Sequence, residues 1–247
     1  MAAVIGVILL PFLGTALGAG CVYLLRKPSG ALCRQGLSGL AAGVMVAASI
    51  WSLLLPALEG SAHLGKLACL PSLAGLWCGI WLLRILNRLV PRLYQASNRR
   101  GMLTLAVTIH NLPEGMAVGV AAAGFLAGSL PFAAFLTLSV GIALQNLPEG
   151  AIISLPLQEA GTRKSKAFAA GALSGIVEPL GGGLTVLLAA LVVPILPFLL
   201  SLAAGAMLYV VVQELIPDMQ EDGRFDAGAM YFTAGFSIMM LLDVLLG

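Results

Sequence analysis

Eight apolar stretches follow one another along this 247-residue chain, each about as long as the roughly 20 residues a helix needs to cross a bilayer. They run over 3–25, 37–58, 67–86, 102–124, 130–155, 167–193, 198–217 and 227–246. The connections between them are short, so residues 1–247 read as one transmembrane domain with no room for a soluble one. Only 10% of the residues are charged and 60% are hydrophobic, whereas a soluble domain carries about 25% charged residues. These features predict an all-α integral membrane protein of eight transmembrane helices.

Lys and Arg orient it. Arg26, Lys27 and Arg34 lie between spans one and two. Arg84, Arg88, Arg92, Arg99 and Arg100 lie at the end of span three and after it. Arg163, Lys164 and Lys166 follow span five, and Arg224 follows span seven, which leaves Lys66 as the single basic residue on the other side. By the positive-inside rule these four connections face the cytoplasm, and both termini are then extracytoplasmic. The N-terminus lacks the basic segment and cleavage site of a secretory signal, so span one reads as retained. Cys21, Cys33, Cys69 and Cys78 have no paired zinc-type spacing and read as small apolar fillers or inert thiols.

Two copies of one hexapeptide occupy consecutive spans: His-Asn-Leu-Pro-Glu-Gly at 110–115 and Gln-Asn-Leu-Pro-Glu-Gly at 145–150. Polar and ionisable groups at bilayer depth are costly and mark functional sites by default. In a helix, residues four apart share a face, so His110 pairs with Glu114 and Gln145 with Glu149, with Asn111 and Asn146 about 100° around. Pro113 and Pro148 each remove a backbone hydrogen bond and free the carbonyls of Ile109 and Leu144, so a helix break is expected at each. Span six adds Glu178 before Pro179 and the run Gly181-Gly182-Gly183. Glu114, Glu149 and Glu178 have no Lys or Arg at their depth, so the site must be metallated or partly protonated. Imidazole, carboxylate and amide oxygen together suit borderline first-row divalent ions. A zinc protease of the His-Glu-x-x-His kind is excluded by the order of residues.

The hexapeptides stand 35 residues apart across one turn near Gly128–Pro131 and so run in opposite directions. Leu-Ala-Ala-Gly-Val-Met at 40–45 is echoed 162 residues later by Leu-Ala-Ala-Gly-Ala-Met at 202–207. These offsets exclude a tandem four-plus-four duplication and suit a 3+2+3 inverted repeat, a recurrent transporter design with discontinuous helices at the midplane. Glycine pairs four apart (14/18, 39/43, 75/79, 115/119 and 171/175) favour close helix approach. Glu214 and Asp218 close span seven and mark an exit path for a cation. Glu221, Asp222 and Asp226 read as a solvated loop, Asp243 as an interfacial charge, Met116 as packing, and His63 as a solvated external residue.

The segment 110–119, His-Asn-Leu-Pro-Glu-Gly-Met-Ala-Val-Gly, resembles the signature of the ZIP (Zrt/Irt-like) divalent metal transporters. The second hexapeptide, Ser-Gly-Ile-Val-Glu-Pro-Leu-Gly at 174–181 and the stretch 204–217 are similar to that family in the same order, and the Gln145 variant is most similar to its GufA-type prokaryotic branch. The resemblance covers nearly the whole chain. It implies eight helices in a 3+2+3 inverted repeat, with both termini outside, in a prokaryotic cell membrane. It also implies zinc and related ions, iron(II), manganese and cadmium, moving toward the cytoplasm, often through homodimers. One metal position would match His110, Glu114, Gln145 and Glu149. The other would match Asn111, Asn146 and Glu178, with Glu114 and Glu149 bridging. Where some relatives carry histidine and aspartate, this chain has the neutral amides Gln145 and Asn146. The histidine-rich loop of eukaryotic members has no counterpart here between spans three and four. The expectation is a transporter, not an enzyme, with no prosthetic group and no nucleic-acid partner. The alternative is a proton-coupled carrier of another substrate that uses the same carboxylates as relays.

Overall fold

The structure, a computed structural model, describes residues 2–24, 31–94, 99–219 and 225–246. Among these residues every regular element is helical, grouped into eight runs. The first, α1, comprises Ala2–Ile8, Leu10–Ala19 and Cys21–Leu24. α2 comprises Ala31–Ala48, a π-helical stretch Ser49–Leu54, and Leu55–Gly60. α3 is Cys69–Tyr94, α4 is Arg99–Leu126 and α5 is Phe132–Glu159. α6 comprises Lys164–Ser174 and Val177–Leu187. α7 begins with Ala189–Val192 and a 3-10 turn, then runs through Leu196–Val210, a π-helical stretch Val211–Leu215, and Ile216–Asp218. α8 is Phe225–Leu246.

Six helical stretches among the described residues are long and apolar enough to cross a membrane, and the bent pair in α1 would make a seventh. α4 falls outside that count and brings Arg99, Arg100, His110, Asn111 and Glu114 into its own length. Large apolar side chains such as Leu17, Trp77, Leu184, Leu191 and Val244 are exposed on the outside, a surface that suits hydrocarbon rather than water. The sixth apolar stretch, expected over 167–193, is shorter as a helix: it ends at Leu187, and residues 189–192 lead into α7.

The helix breaks expected at two prolines need correction. Pro113 and Pro148 do not break their helices; both sit inside continuous α4 and α5. Within a bundle, neighbouring helices and local adjustment let a helix continue past proline. In α6 an interruption comes at Gly175–Ile176, just ahead of Glu178 and Pro179. Pro179 then stands in the first turn of Val177–Leu187, where its missing N–H is not needed, and the glycine run continues the helix.

Helix pairing follows a pattern. The most extensive pairings are α1 with α5, α4 with α6, α2 with α8 and α3 with α7. Glycines make each of them possible. A Cβ at Gly14 or Gly18 would fall on the backbone of Ala143 or Leu147. One at Gly115 or Gly119 would meet the backbone of Glu178 or Gly182. Gly43 lies against Phe232, Gly235 against Leu40, Gly79 against Leu202 and Gly205 against Leu76. All five glycine pairs expected from spacing thus lie at helix contacts, Gly171 and Gly175 packing on Ala19 and Thr15.

The contacts also correspond to one another. Gly43 and Gly205 stand 162 residues apart, and their partners Phe232 and Leu76 stand 156 apart; Leu40–Gly235 and Leu202–Gly79 repeat both offsets. The π-helical stretches begin at Ser49 and Val211, again 162 apart. Hexapeptide glycines Gly115 and Gly150 meet Glu178 and Thr15, residues 163 apart. Gly128, with φ of 73°, makes the turn between α4 and α5, a conformation that glycine adopts without strain. The main apolar core gathers buried residues of α2, α4, α5 and α7, including Met45, Ala121, Leu138 and Met207.

Candidate metal site

α4, α5 and α6 bring six of the seven expected site residues together. Asn111, Glu114, Gln145, Asn146, Glu149 and Glu178 are all buried, and four of them, Asn111, Gln145, Asn146 and Glu178, have no exposed surface at all. His110 continues α4, but its side chain lies outside the described residues.

Hydrogen bonds tie the helices at this point. Gln145 Nε2 donates to Glu114 Oε1 at 2.7 Å, joining α5 to α4. Asn111 Nδ2 donates to Glu178 Oε1 at 2.9 Å and faces the Ser174 carbonyl at 3.4 Å, joining α4 to α6. Thr15 of α1, which the sequence reading passed over, donates its hydroxyl to Glu178 Oε1 at 2.8 Å. Asn146 lies near enough to Glu114 and Glu178 to polarise both, yet neither of its side-chain polar atoms makes a hydrogen bond of good geometry.

Of the atoms left unpaired on these residues, all but one are oxygens. Asn111 Oδ1, Glu114 Oε2, Gln145 Oε1, Asn146 Oδ1, Glu149 Oε2 and Glu178 Oε2 are buried oxygens with no hydrogen-bond donor. The one unpaired nitrogen among these residues is Asn146 Nδ2. Buried polar atoms are nearly always satisfied, so a cluster of orphaned acceptors calls for a positive partner. The carboxylates also form an electrostatic chain. Glu114 feels Glu149 and Glu178, Glu149 feels Glu178 and Glu214, and Glu214 feels Asp218. Among the described residues no three His, Cys, Asp or Glu close into a ready-made metal cluster. Amides supply part of the donor set, and hydrogen bonds hold one oxygen each of Glu114 and Glu178 in place.

Glu214 sits on the π-helical turn of α7, half-buried, within 3.5 Å of Asn87 Nδ2 on α3; Asp218 is exposed. Its counterpart is on the π-helical turn of α2. Ser52 donates to Asp243 Oδ1 of α8 at 3.3 Å, and Ser52–Glu214 and Asn87–Asp243 repeat the offsets of 162 and 156. Asp243 is half-buried and accepts this bond from a neighbouring helix. Met116, exposed on α4, packs near Gly181; His63 and Asp226 are exposed; Glu221 and Asp222 lie outside the described residues. Cys21 is half-buried and Cys69 and Cys78 exposed, while the side chain of Cys33 lies outside the described residues.

The family model of the ZIP zinc transporters matches residues 90–243, which hold the whole of α4 to α7 and most of α8. The chain belongs to the ZIP zinc transporter family. Its ZIP relatives include the zinc transporter GufA of Myxococcus xanthus, 34% identical over 95% of this chain and 96% of its own. Zinc transporter ZIP11 of Xenopus tropicalis is 33% identical over 94% of each chain. Zinc transporter ZIPB of Bordetella bronchiseptica is 35% identical over 96% of this chain and 79% of its own. As a ZIP protein the chain is a multi-pass transporter of the cell membrane and not an enzyme.

Proposed function

We propose that this protein carries divalent metal ions, zinc foremost, into the cytoplasm through a site between α4, α5 and α6. The supporting observation is the set of buried oxygens with no donor on Asn111, Glu114, Gln145, Asn146, Glu149 and Glu178. A cation would satisfy these acceptors together, and no Lys or Arg of the chain lies in the apolar part of these helices to do so. His110, one turn before Glu114 on α4, adds an imidazole to the set by its place in the sequence. Carboxylate, amide and imidazole ligation also accommodates iron(II), manganese and cadmium.

The architecture we propose is eight spans in a 3+2+3 inverted repeat with both termini extracytoplasmic, in a chain that forms homodimers like the family it resembles. The matched offsets of the glycine contacts and of the π-helical turns support the repeat, and the placement of Lys and Arg supports the orientation. In this arrangement Glu214 and Asp218 form the exit path, supported by the electrostatic chain from Glu149 through Glu214 to Asp218.

Uptake by proteoliposomes of purified protein under zinc, iron(II), manganese and cadmium gradients tests this reading. Saturable uptake is expected, with zinc taken up best. No uptake of any ion by folded protein would overturn the reading and shift the weight to a carrier that uses these carboxylates as proton relays.

A further inference from the structure

Among the described residues, Thr15 is a side chain bonded at the site that neither the hexapeptides nor the α6 motif supplies. It is fully buried in α1, a run of almost wholly apolar residues. Its hydroxyl carries a single proton and has two acceptors in reach, Glu178 Oε1 at 2.8 Å and the Pro11 carbonyl of its own helix at 3.4 Å. The shorter contact, to a carboxylate, is the stronger one. Asn111 donates to the same carboxylate oxygen at 2.9 Å. Glu178 Oε1 is therefore held from two helices, while Glu178 Oε2 is buried and unpartnered.

We propose that Thr15 is a positioning residue for the transported ion: with Asn111 it holds one oxygen of Glu178 so that the other alone is presented to the metal. This inference rests on the metal-transport reading. A carboxylate held in this way binds through one oxygen, which suits a small ion with few, short metal–oxygen contacts. A carboxylate free to turn offers both oxygens, the mode that larger cations use. Thr15 thereby bears on which ion is preferred as well as on affinity.

The internal correspondence adds a second argument. Thr15 packs on Gly150 as Glu178 packs on Gly115, and Gly18 meets Leu147 as Gly181 meets Leu112. Position 15 is thus the counterpart of position 178, and the two counterparts touch. A carboxylate at both would set like charges against each other; a donor at one and an acceptor at the other makes the contact favourable. The hydroxyl accounts for the asymmetry of the site at this point.

The test compares zinc and cadmium uptake by wild-type, Thr15→Val and Thr15→Ser proteins in proteoliposomes, with folding checked by melting in chelator. Valine keeps the shape and removes the donor, and serine keeps the donor. For Thr15→Val, KM for zinc is expected to rise about tenfold, the size typical of losing a group that orients a metal ligand. Maximal rate should hold and KM for cadmium should rise less, with Thr15→Ser close to wild type. Should the valine variant fail to fold, Thr15→Ala is judged by the same comparison. An unchanged zinc KM in the variant, an equal rise for both ions, or a serine variant as impaired as the valine one would overturn the proposal while leaving metal transport standing. A wild-type protein that takes up neither ion would overturn both.

Discussion

The two hexapeptide helices share Asn-Leu-Pro-Glu-Gly and pack by the same glycine, but their asparagines end in different surroundings. Asn111 donates to Glu178 and faces the Ser174 carbonyl, while Asn146, equally buried, makes no hydrogen bond of good geometry. The difference comes from the opposing helix. α4 meets a glutamate on α6 where α5 meets Thr15 on α1. Identical local sequence thus yields one asparagine whose amide N–H is paired and one whose side-chain amide is left unpaired, while both helices keep orphaned oxygens. Packing follows the repeat, and chemistry departs from it where an ion would enter the site.

The largest effect expected is common to both sides. Glu114→Ala and Glu149→Ala should each lower zinc uptake by more than about a hundredfold, because ligand loss exceeds the cost of losing an orienting group. Near-normal uptake in either variant, measured in proteoliposomes, would remove that carboxylate from the site. Next, Gly115→Val and Gly150→Val should destabilise by similar amounts, about 3 kcal/mol each, since both would force a side chain into a facing backbone. Strongly unequal melting shifts would break the packing correspondence.

The asparagines separate the two sides. Asn111→Asp removes a donor and sets a carboxylate against Glu178, so metal-free protein should lose about 2 kcal/mol of stability. Asn146→Asp removes no hydrogen bond of good geometry and should strengthen zinc binding at the second metal position. Equal stability losses by thermal melting, or an unchanged metal titration for Asn146→Asp, would erase the distinction. The smallest effects belong to the two π-helical turns. Ser52→Ala and Asn87→Ala remove the long, part-buried hydrogen bonds to Asp243 and Glu214, and the loss of each such bond should cost about 0.5 kcal/mol by thermal melting.

Much of this was legible in the sequence. The apolar stretches located the helical runs to within several residues at most ends, because hydrophobic length is imposed by the bilayer itself. Glycine spacing located the helix contacts, because only a missing Cβ allows such approach. The hexapeptides and Glu178 pointed to residues that are buried, with hydrogen bonds joining Gln145 to Glu114 and Asn111 to Glu178. Proline misled: its local cost argued for breaks at Pro113 and Pro148, and the surrounding bundle keeps both helices continuous. The π-helical turns left no trace in residue pattern beyond the prolines that follow them, Pro56 and Pro217. Thr15 was missed because a lone threonine in an apolar helix resembles filler. Extending the 162-residue echo between spans two and seven back into span one would have set it opposite Val177, one residue short of Glu178.

Metal transport as proposed requires the orphaned oxygens of α4, α5 and α6 to hold a divalent cation. Calorimetric titration of zinc into purified wild-type protein and into the Glu114→Gln, Glu149→Gln double variant tests it most directly. Saturable binding in the wild type that disappears in a variant with an unchanged metal-free melting profile is the predicted result. Equal zinc binding by the two proteins would contradict the claim and place the ion elsewhere in the molecule.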